Sequence, residues 1–274
     1  LFERFLSFFY GKFKRKKLFT NKIDFINKKG KKVYLSDLLI KSTDLKKFEE
    51  NTPNSIENAA EKRKLYLREN SLVITLDENK DITQILTIEV PSLKTSYATF
   101  KKPLLKIKES KRKSNSYLNG DKLFTIAASK EFFSTEVLDY NTGEKIKNYT
   151  IDKSQKINFK NTPIIQEGGM YDNYRELEKT KKYLRKITSG EIGITAFKNN
   201  NTYHLTMGGY VTQKGGGGMF MPMGFGGLPI ASFGNVSVFF NPALFAYNSM
   251  ANTKSTRIES LFDSNFSHIK GEIK

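Results

Sequence analysis

The chain has no cysteine, no tryptophan and only two histidines. Missing thiols exclude disulfides, thiolate nucleophiles and cysteine-ligated zinc, and they leave the redox compartment open. His204 and His268 are 64 positions apart and neither sits in an HxH, HExxH or HxxxH spacing, so no metal site is expected. No DxDxDG run offers a calcium loop. No GxSxG elbow presents a serine, and Ser189 and Ser232 lie in turn-like contexts. The carboxylates Asp77, Glu78, Asp81 and Asp139 fall in or beside turns, where hairpins place acids for backbone reasons, so they are expected to be turn residues and not a catalytic pair. No apolar run approaches the roughly 18 residues needed to cross a bilayer. Arginine is scarce as well, at eight of 46 basic residues, so the net charge of +18 rests on lysine. Lysine is a solvated point charge without the planar fork that reads phosphates and bases. The expectation is a solvated basic surface, with a dedicated polyanion site as the alternative.

What is present favours a packed β-protein. Hydrophobic residues make up 38% of 274 positions and 22 of them are phenylalanine, ample material for a core. The stretch YLRENSLVITLDENKDITQIL from Tyr66 matches YLNGDKLFTIAASKEFFSTEVL from Tyr117 with one residue of slip. Each opens on Tyr-Leu, enters an apolar run at Leu72 or Leu123, crosses a polar turn, and resumes at Thr83–Leu86 or Thr135–Leu138. A looser copy begins at Tyr183 and runs through Ile192–Phe197, KNNN and Thr202–Leu205; a fourth candidate ends in TRIESLFD from Thr256. β-Branched and aromatic runs of strand length separated by Asn, Asp and Gly clusters predict antiparallel hairpins, followed by shorter strands at SYATFK and KNYTID. Helices are expected over 55–67 and 173–184, the second with Glu176 and Glu178 pairing to following lysines. The residues KGKKVYLSDLL before position 60 read as a strand pair or an incomplete blade.

A period of about 50 residues built from antiparallel strands resembles β-propeller families of the Kelch or WD40 size class. The resemblance covers residues 60–274 and rests on period and strand pattern, without the Gly-His, Trp-Asp or paired-glycine marks of those families. It implies a mainly β fold, four or five blades with an N-terminal segment over 1–60, and sites at the mouth of a central channel.

Two stretches invite function. KGGGGMFMPMGFGGLP, 214–229, is no phosphate loop: Lys214 precedes the glycines, no hydroxyl follows in place, and Pro222 and Pro229 oppose a helix. Strands are expected on both sides, at TYHLTMGGYVT and NVSVFF, which also excludes a dinucleotide fold. No charge occurs from Met219 to Phe233. The stretch reads as a connection tucked against the domain or as an apolar partner-binding tip made of Met219, Phe220, Met221, Met223, Phe225 and Leu228. At the N-terminus, LFERFLSFFYGKFKRKKLF places Lys12, Lys14, Arg15, Lys16 and Lys17 among phenylalanines. That stretch reads as a core-facing element with a solvated turn, or as a polyanion-binding segment for nucleic acid or an anionic membrane. The chain is therefore expected to be a non-catalytic β-repeat scaffold or protein-interaction module without a cofactor. Polyanion binding is the alternative and a hydrolase at a propeller mouth the more distant one. A start at Leu1, no cysteine and an all-β repeat suit a bacterial periplasmic or envelope protein, with the cytoplasm as the alternative compartment.

Overall fold

The computed structural model describes residues 23–40, 45–90, 92–104, 112–169, 173–212, 228–233, 236–240 and 253–273, with the side chains of 228–240 outside the description. A small hairpin, β1 (Phe25–Ile26) and β2 (Lys32–Val33), leads into helix α1 (Leu35–Ile40). Strand β3 (Lys46–Glu49) and the short helix α2 (Ile56–Ala59) precede a four-strand meander: β4 (Arg63–Arg68), β5 (Ser71–Leu76), β6 (Ile82–Glu89) and β7 (Thr95–Lys101). β3 adds to the free edge of β4 in parallel, completing the first sheet. The second sheet repeats the meander with β8 (Lys113–Asn119), β9 (Lys122–Ala128), β10 (Phe132–Asp139) and β11 (Lys145–Asp152).

The third sheet draws on β12 (Ile164–Gly168), β13 (Arg175–Leu177), β14 (Glu191–Asn199), β15 (Thr202–Thr212) and β18 (Thr253–Phe262), in the order β13-β12-β18-β15-β14, with helix α3 (Thr180–Ile187) packed on it. β16 (Leu228–Phe233) and β17 (Val236–Phe240) pair with each other in a separate hairpin. Every pairing but β3–β4 is antiparallel. The fold is thus mainly β with several antiparallel sheets, and among the described residues they close neither a barrel nor a propeller ring.

Alternation along each strand sorts the side chains to two faces. On the first sheet, Tyr66, Val73, Ile85 and Phe100 turn into the main core shared with the second and third sheets. Leu65, Leu72, Ile74, Leu86 and Ile88 turn the other way, into a second core roofed by Phe25 and Leu38. The second sheet joins both neighbours. Tyr117 meets Tyr66 and Phe48 with ring centroids 5.8 and 5.5 Å apart, both edge to face, a geometry worth about 0.5–1.5 kcal/mol per pair beyond the area buried. Phe124 meets Tyr203 of the third sheet at 6.1 Å, and Phe133 meets Tyr183 of α3 at 6.0 Å. The first strand of the second sheet lies beside the edge strand of the third, the Asn115 amide on β8 donating to the Ile192 carbonyl on β14.

The two repeats read from Tyr66 and Tyr117 are therefore one unit folded twice, with a correction to their register. Leu72 pairs with Ile88 and Leu123 pairs with Leu138, so Leu138 corresponds to Ile88 and not to Leu86. The cause is turn length: residues 77–81 separate β5 from β6, whereas only 129–131 separate β9 from β10. A slip of two keeps the side chains on the same face, so the sequence pattern survives it.

The looser copies differ more. Tyr183 and Leu184 lie in α3, and Thr256 lies on β18, the middle strand of the third sheet and not a blade of its own. Both expected helices are shorter than the sequence suggested. Ser55 caps α2 by accepting from the Asn58 backbone at 3.3 Å, but the helix stops at Ala59, because Arg63–Arg68 gains more by filling both cores as a strand. Arg175–Leu177 pairs with β12, so α3 starts only at Thr180; Glu176 lies on a strand and accepts from the Tyr174 hydroxyl instead of pairing with helix lysines. Gly193 explains how α2 docks on β14: a Cβ there would stand 2.9 Å from the Ala60 backbone nitrogen.

Candidate functional site

The strongest electrostatic feature is a knot between the first and second sheets. Asp77, at the end of β5, is fully buried together with Lys64 from β4 and Lys102 just beyond β7. One carboxylate oxygen holds Lys102 Nζ at 2.8 Å and the Thr83 hydroxyl at 2.8 Å; the other holds Lys64 Nζ at 3.1 Å and the Ser116 hydroxyl at 2.8 Å. Lys64 also donates to Asn115 Oδ1 at 2.7 Å, and the Asn115 amide reaches the Ala60 and Ile192 carbonyls at 2.7 and 2.8 Å. Lys102 donates to the Asn79 carbonyl at 2.9 Å. One chain of polar contacts therefore runs from the first sheet through the second to the third.

Two ammonium groups on one carboxylate leave an excess positive charge in the interior. Burial pushes Lys102 down to about 8 against the pull of Asp77, and it lowers Lys64 as well. For Asp77, burial alone would raise the carboxyl, but the charges of Lys102 and Lys64 outweigh it and hold the group well below the usual carboxylate range. Both carboxylate oxygens and both ammonium groups are hydrogen-bonded and sealed from solvent, so the knot's chemistry is to lock the sheets together. Asp77 does open the turn between β5 and β6, as expected, but it is buried there and bound to two lysines. Glu78 and Asp81 pair with Arg63 and Arg112. Asp139 accepts from the backbone of Asn141 and Thr142 and from Lys122, the part expected of a turn acid.

At the opposite end of the strands, the segment after β3 and the β8–β9 and β14–β15 hairpins meet around a cleft of about 230 Å³, lined by Glu50, Asn51, Asn119, Gly120, Asp121, Lys198 and Tyr203. Asn51 ties it together from a left-handed backbone (φ 54°). Its N–H donates to Asn119 Oδ1 at 2.9 Å, its amide to the Lys198 carbonyl at 2.9 Å, and its Oδ1 accepts from the Lys198 N–H at 2.5 Å. Arg68 engages Glu50 at 2.6 Å and the Gly120 carbonyl, and its guanidinium lies 5.0 Å from the centre of the Tyr140 ring. Lys122 spans Asp121 and Asp139 at 2.7 and 3.1 Å. Both acids of the cleft are thus neutralised from within the fold, and the cleft reads as a polar seam between turns.

His204 stacks on Phe197 at 4.6 Å, and His268 Nε2 lies 2.9 Å from Asn161 Oδ1; burial lowers both. Among the described residues no group of three His, Cys, Asp or Glu side chains could hold a metal ion, and no helix is long and apolar enough to cross a membrane. Lys12, Lys14, Arg15, Lys16 and Lys17 lie outside the described residues, as do Met219, Phe220, Met221, Met223 and Phe225. Leu228 opens β16.

The frame nevertheless fixes where the Gly/Met/Phe stretch is rooted. Thr212 ends β15 and Thr253 begins β18, and the two are direct partners across the antiparallel pair. Residues 213–252 are therefore inserted between neighbouring residues of one ladder, and within them β16 and β17 pair only with each other. From 215 to 252 there is no Asp, Glu, Lys or Arg, in a chain that is 27% charged. No family model, curated protein or solved structure matches the chain.

Proposed function

We propose that this protein is a non-catalytic β-sheet scaffold that contacts an apolar partner surface, protein or lipid, through the uncharged insertion 213–252. In this reading the three stacked sheets are consecutive blades of a propeller-type arrangement. The first two sheets hold successive four-strand meanders, and the third sheet follows them in sequence with its edge strand β14 next to β8. The observation that carries the proposal is the pairing of Thr212 with Thr253. A ladder that runs on from one side of the insertion to the other gains nothing from it, so a charge-free segment of that length has its use elsewhere. Long apolar stretches that serve no local core mark contact surfaces, and methionine and phenylalanine together give a surface that adapts to its partner.

The test is substitution within the insertion. Phe220→Asp combined with Phe225→Asp should leave the urea midpoint of the scaffold unchanged and reduce capture of cell-extract partners or co-sedimentation with vesicles at least tenfold. A drop in the midpoint with binding intact would assign those side chains to the core and end the proposal.

A further inference from the structure

The insertion has a charged collar. Helix α3 is amphipathic: Thr180, Tyr183, Leu184 and Ile187 are buried, and the positions between them on the solvent side are Lys181, Lys182, Arg185 and Lys186. Arg175 on the neighbouring strand β13 and Lys254 at the start of β18 bring two more cations to the same surface. Arg175 donates through Nε to Gln166 at 2.7 Å, which fixes its stem. The four groups Arg175, Arg185, Lys186 and Lys254 sense one another. Lys186 is lowered by partial burial first and then by the charges of Arg175, Arg185 and Lys254, with no carboxylate acting in the other direction. The closest acids along the chain, Glu176 and Glu178, pair with none of these cations, and among the described residues none of the six makes an ion pair. Other basic side chains, among them Arg63, Arg68, Arg112, Lys122 and Arg257, are paired with carboxylates of the fold.

The position of this surface is as informative as its charge. Lys254 follows Thr253, the residue at which the chain returns from the insertion. The chain leaving α3 at Gly190 runs against Tyr210 and Val211, two of the last three residues of β15 before the insertion departs. Unpaired cations therefore stand at the root of a charge-free apolar segment. That combination is complementary to a surface whose outside is anionic and whose inside is hydrocarbon. Duplex nucleic acid matches the cations and has no use for the apolar segment; an apolar protein pocket matches the segment and not the cations.

We infer that Arg175, Lys181, Lys182, Arg185, Lys186 and Lys254 form a docking surface for the phosphate headgroups of an anionic lipid bilayer. The inference rests on the proposed contact role of the insertion and names its partner. Basic residues next to a membrane contact act additively and are screened by salt, each side chain strengthening partition by about fivefold near an anionic leaflet.

The experiment is co-sedimentation of the full chain with phosphatidylcholine vesicles that do or do not contain phosphatidylserine, at low and high salt. The wild-type chain should bind the phosphatidylserine vesicles far better, and high salt should erase the difference. The variant Lys181→Gln, Lys182→Gln, Arg185→Gln, Lys186→Gln exchanges solvent-side groups only and should keep the wild-type melting temperature. Its binding to the anionic vesicles should fall by at least a hundredfold. A chain lacking 213–252 separates the two readings: binding to anionic vesicles that falls to a salt-sensitive remainder upholds both, whereas salt-sensitive binding kept at the wild-type level upholds the cationic surface and refutes the apolar role of the insertion. Wild-type chain that ignores phosphatidylserine, or a quadruple variant that binds as well as wild type, overturns the inference. Binding of a single-stranded oligonucleotide that depends on the four side chains, without vesicle binding, overturns it in favour of nucleic acid.

Discussion

Replacing Asp77 with alanine should cost about 3–5 kcal/mol of folding stability, as removal of one partner from a buried ion pair does. The reason is the charge inventory of the knot. Among the described residues Asp77 is the only carboxylate that pairs with Lys64 and Lys102, both fully buried, and its loss leaves two ammonium groups without a counter-ion. Asp77→Asn is expected to fall in the same range, because its amide can accept from only one lysine while presenting its own donors to the other. Lys102→Met should be far milder: it removes the surplus charge, leaves the Lys64–Asp77 pair intact and fills the volume with an apolar chain of similar reach. Ser116→Ala, which deletes one hydrogen bond to a charged group, belongs near 1.5–3 kcal/mol. Urea unfolding with an unchanged m-value measures all four. The order Asp77→Ala above Ser116→Ala above Lys102→Met is the signature of one anion serving two cations. Equal losses at Asp77 and Lys102 would mean that the lysines do not share the carboxylate.

The same inventory makes stability depend on pH at both ends of the scale. Lys102 is lowered from the ordinary lysine value of 10.5 to about 8. Between those values the unfolded chain holds a proton that the folded chain has released, so stability should rise with pH across pH 8–10.5, by at most about 1.4 kcal/mol per unit for one proton. Burial lowers Lys64 as well, so its proton acts in the same direction as that of Lys102. Asp77 acts in the opposite region: its folded value lies far below that of a free carboxyl, so its stabilisation is complete above about pH 4 and falls away as the pH drops further. Urea midpoints at several pH values in this window read the alkaline limb. Lys102→Met should lessen its slope while leaving the acid limb in place. A wild-type midpoint that falls from pH 8 to pH 10 would place the proton on Lys102 in the folded state and refute this account of the knot.

How much of this was legible before the fold was known depended on the range of each interaction. Hairpins are local, and SLVITL and KLFTIAA with their flanking turns announced β5 and β9, while TYHLTMGGYVT matched β15 end to end. The Tyr-Leu openings marked a real equivalence: Tyr66 and Tyr117 meet in the core between consecutive sheets. The repeat was misaligned by two at Leu86 because sequence comparison sees the threonine and leucine and not the ladder, and the longer turn at 77–81 moves one against the other. The helices were overextended because Arg63–Arg68 and Arg175–Leu177 pair with the adjacent strands β5 and β12 and so leave the helical pattern that their polar and apolar spacing also fits.

Asp77 was hidden most completely. Its partners stand at 64, 83, 102 and 116: pairing within the first sheet gathers Lys64, Thr83 and Lys102, and stacking of the second sheet adds Ser116. One clue existed: Lys64 lies two residues before Tyr66 on the same strand, hence on the face that turns inward. As for the contact sites, the insertion was visible as a charge-free run. Its root at Thr212 and Thr253 was not, since that needs β18 to return beside β15. The cationic face of α3 was read as helix surface and missed as a site because Arg175 and Lys254 join it only in the folded chain.

The most direct test joins Thr212 to Thr253 through a two-residue Asn-Gly turn, the connection that a tight antiparallel hairpin prefers, and follows unfolding and vesicle association of the shortened chain together. A self-sufficient stack of sheets with an outward-working insertion requires an unchanged urea midpoint and m-value together with loss of association to no more than the salt-sensitive remainder. An unfolded product, or a folded one that associates as strongly as the parent even at high salt, would show that residues 213–252 belong to the core or have no part in contact.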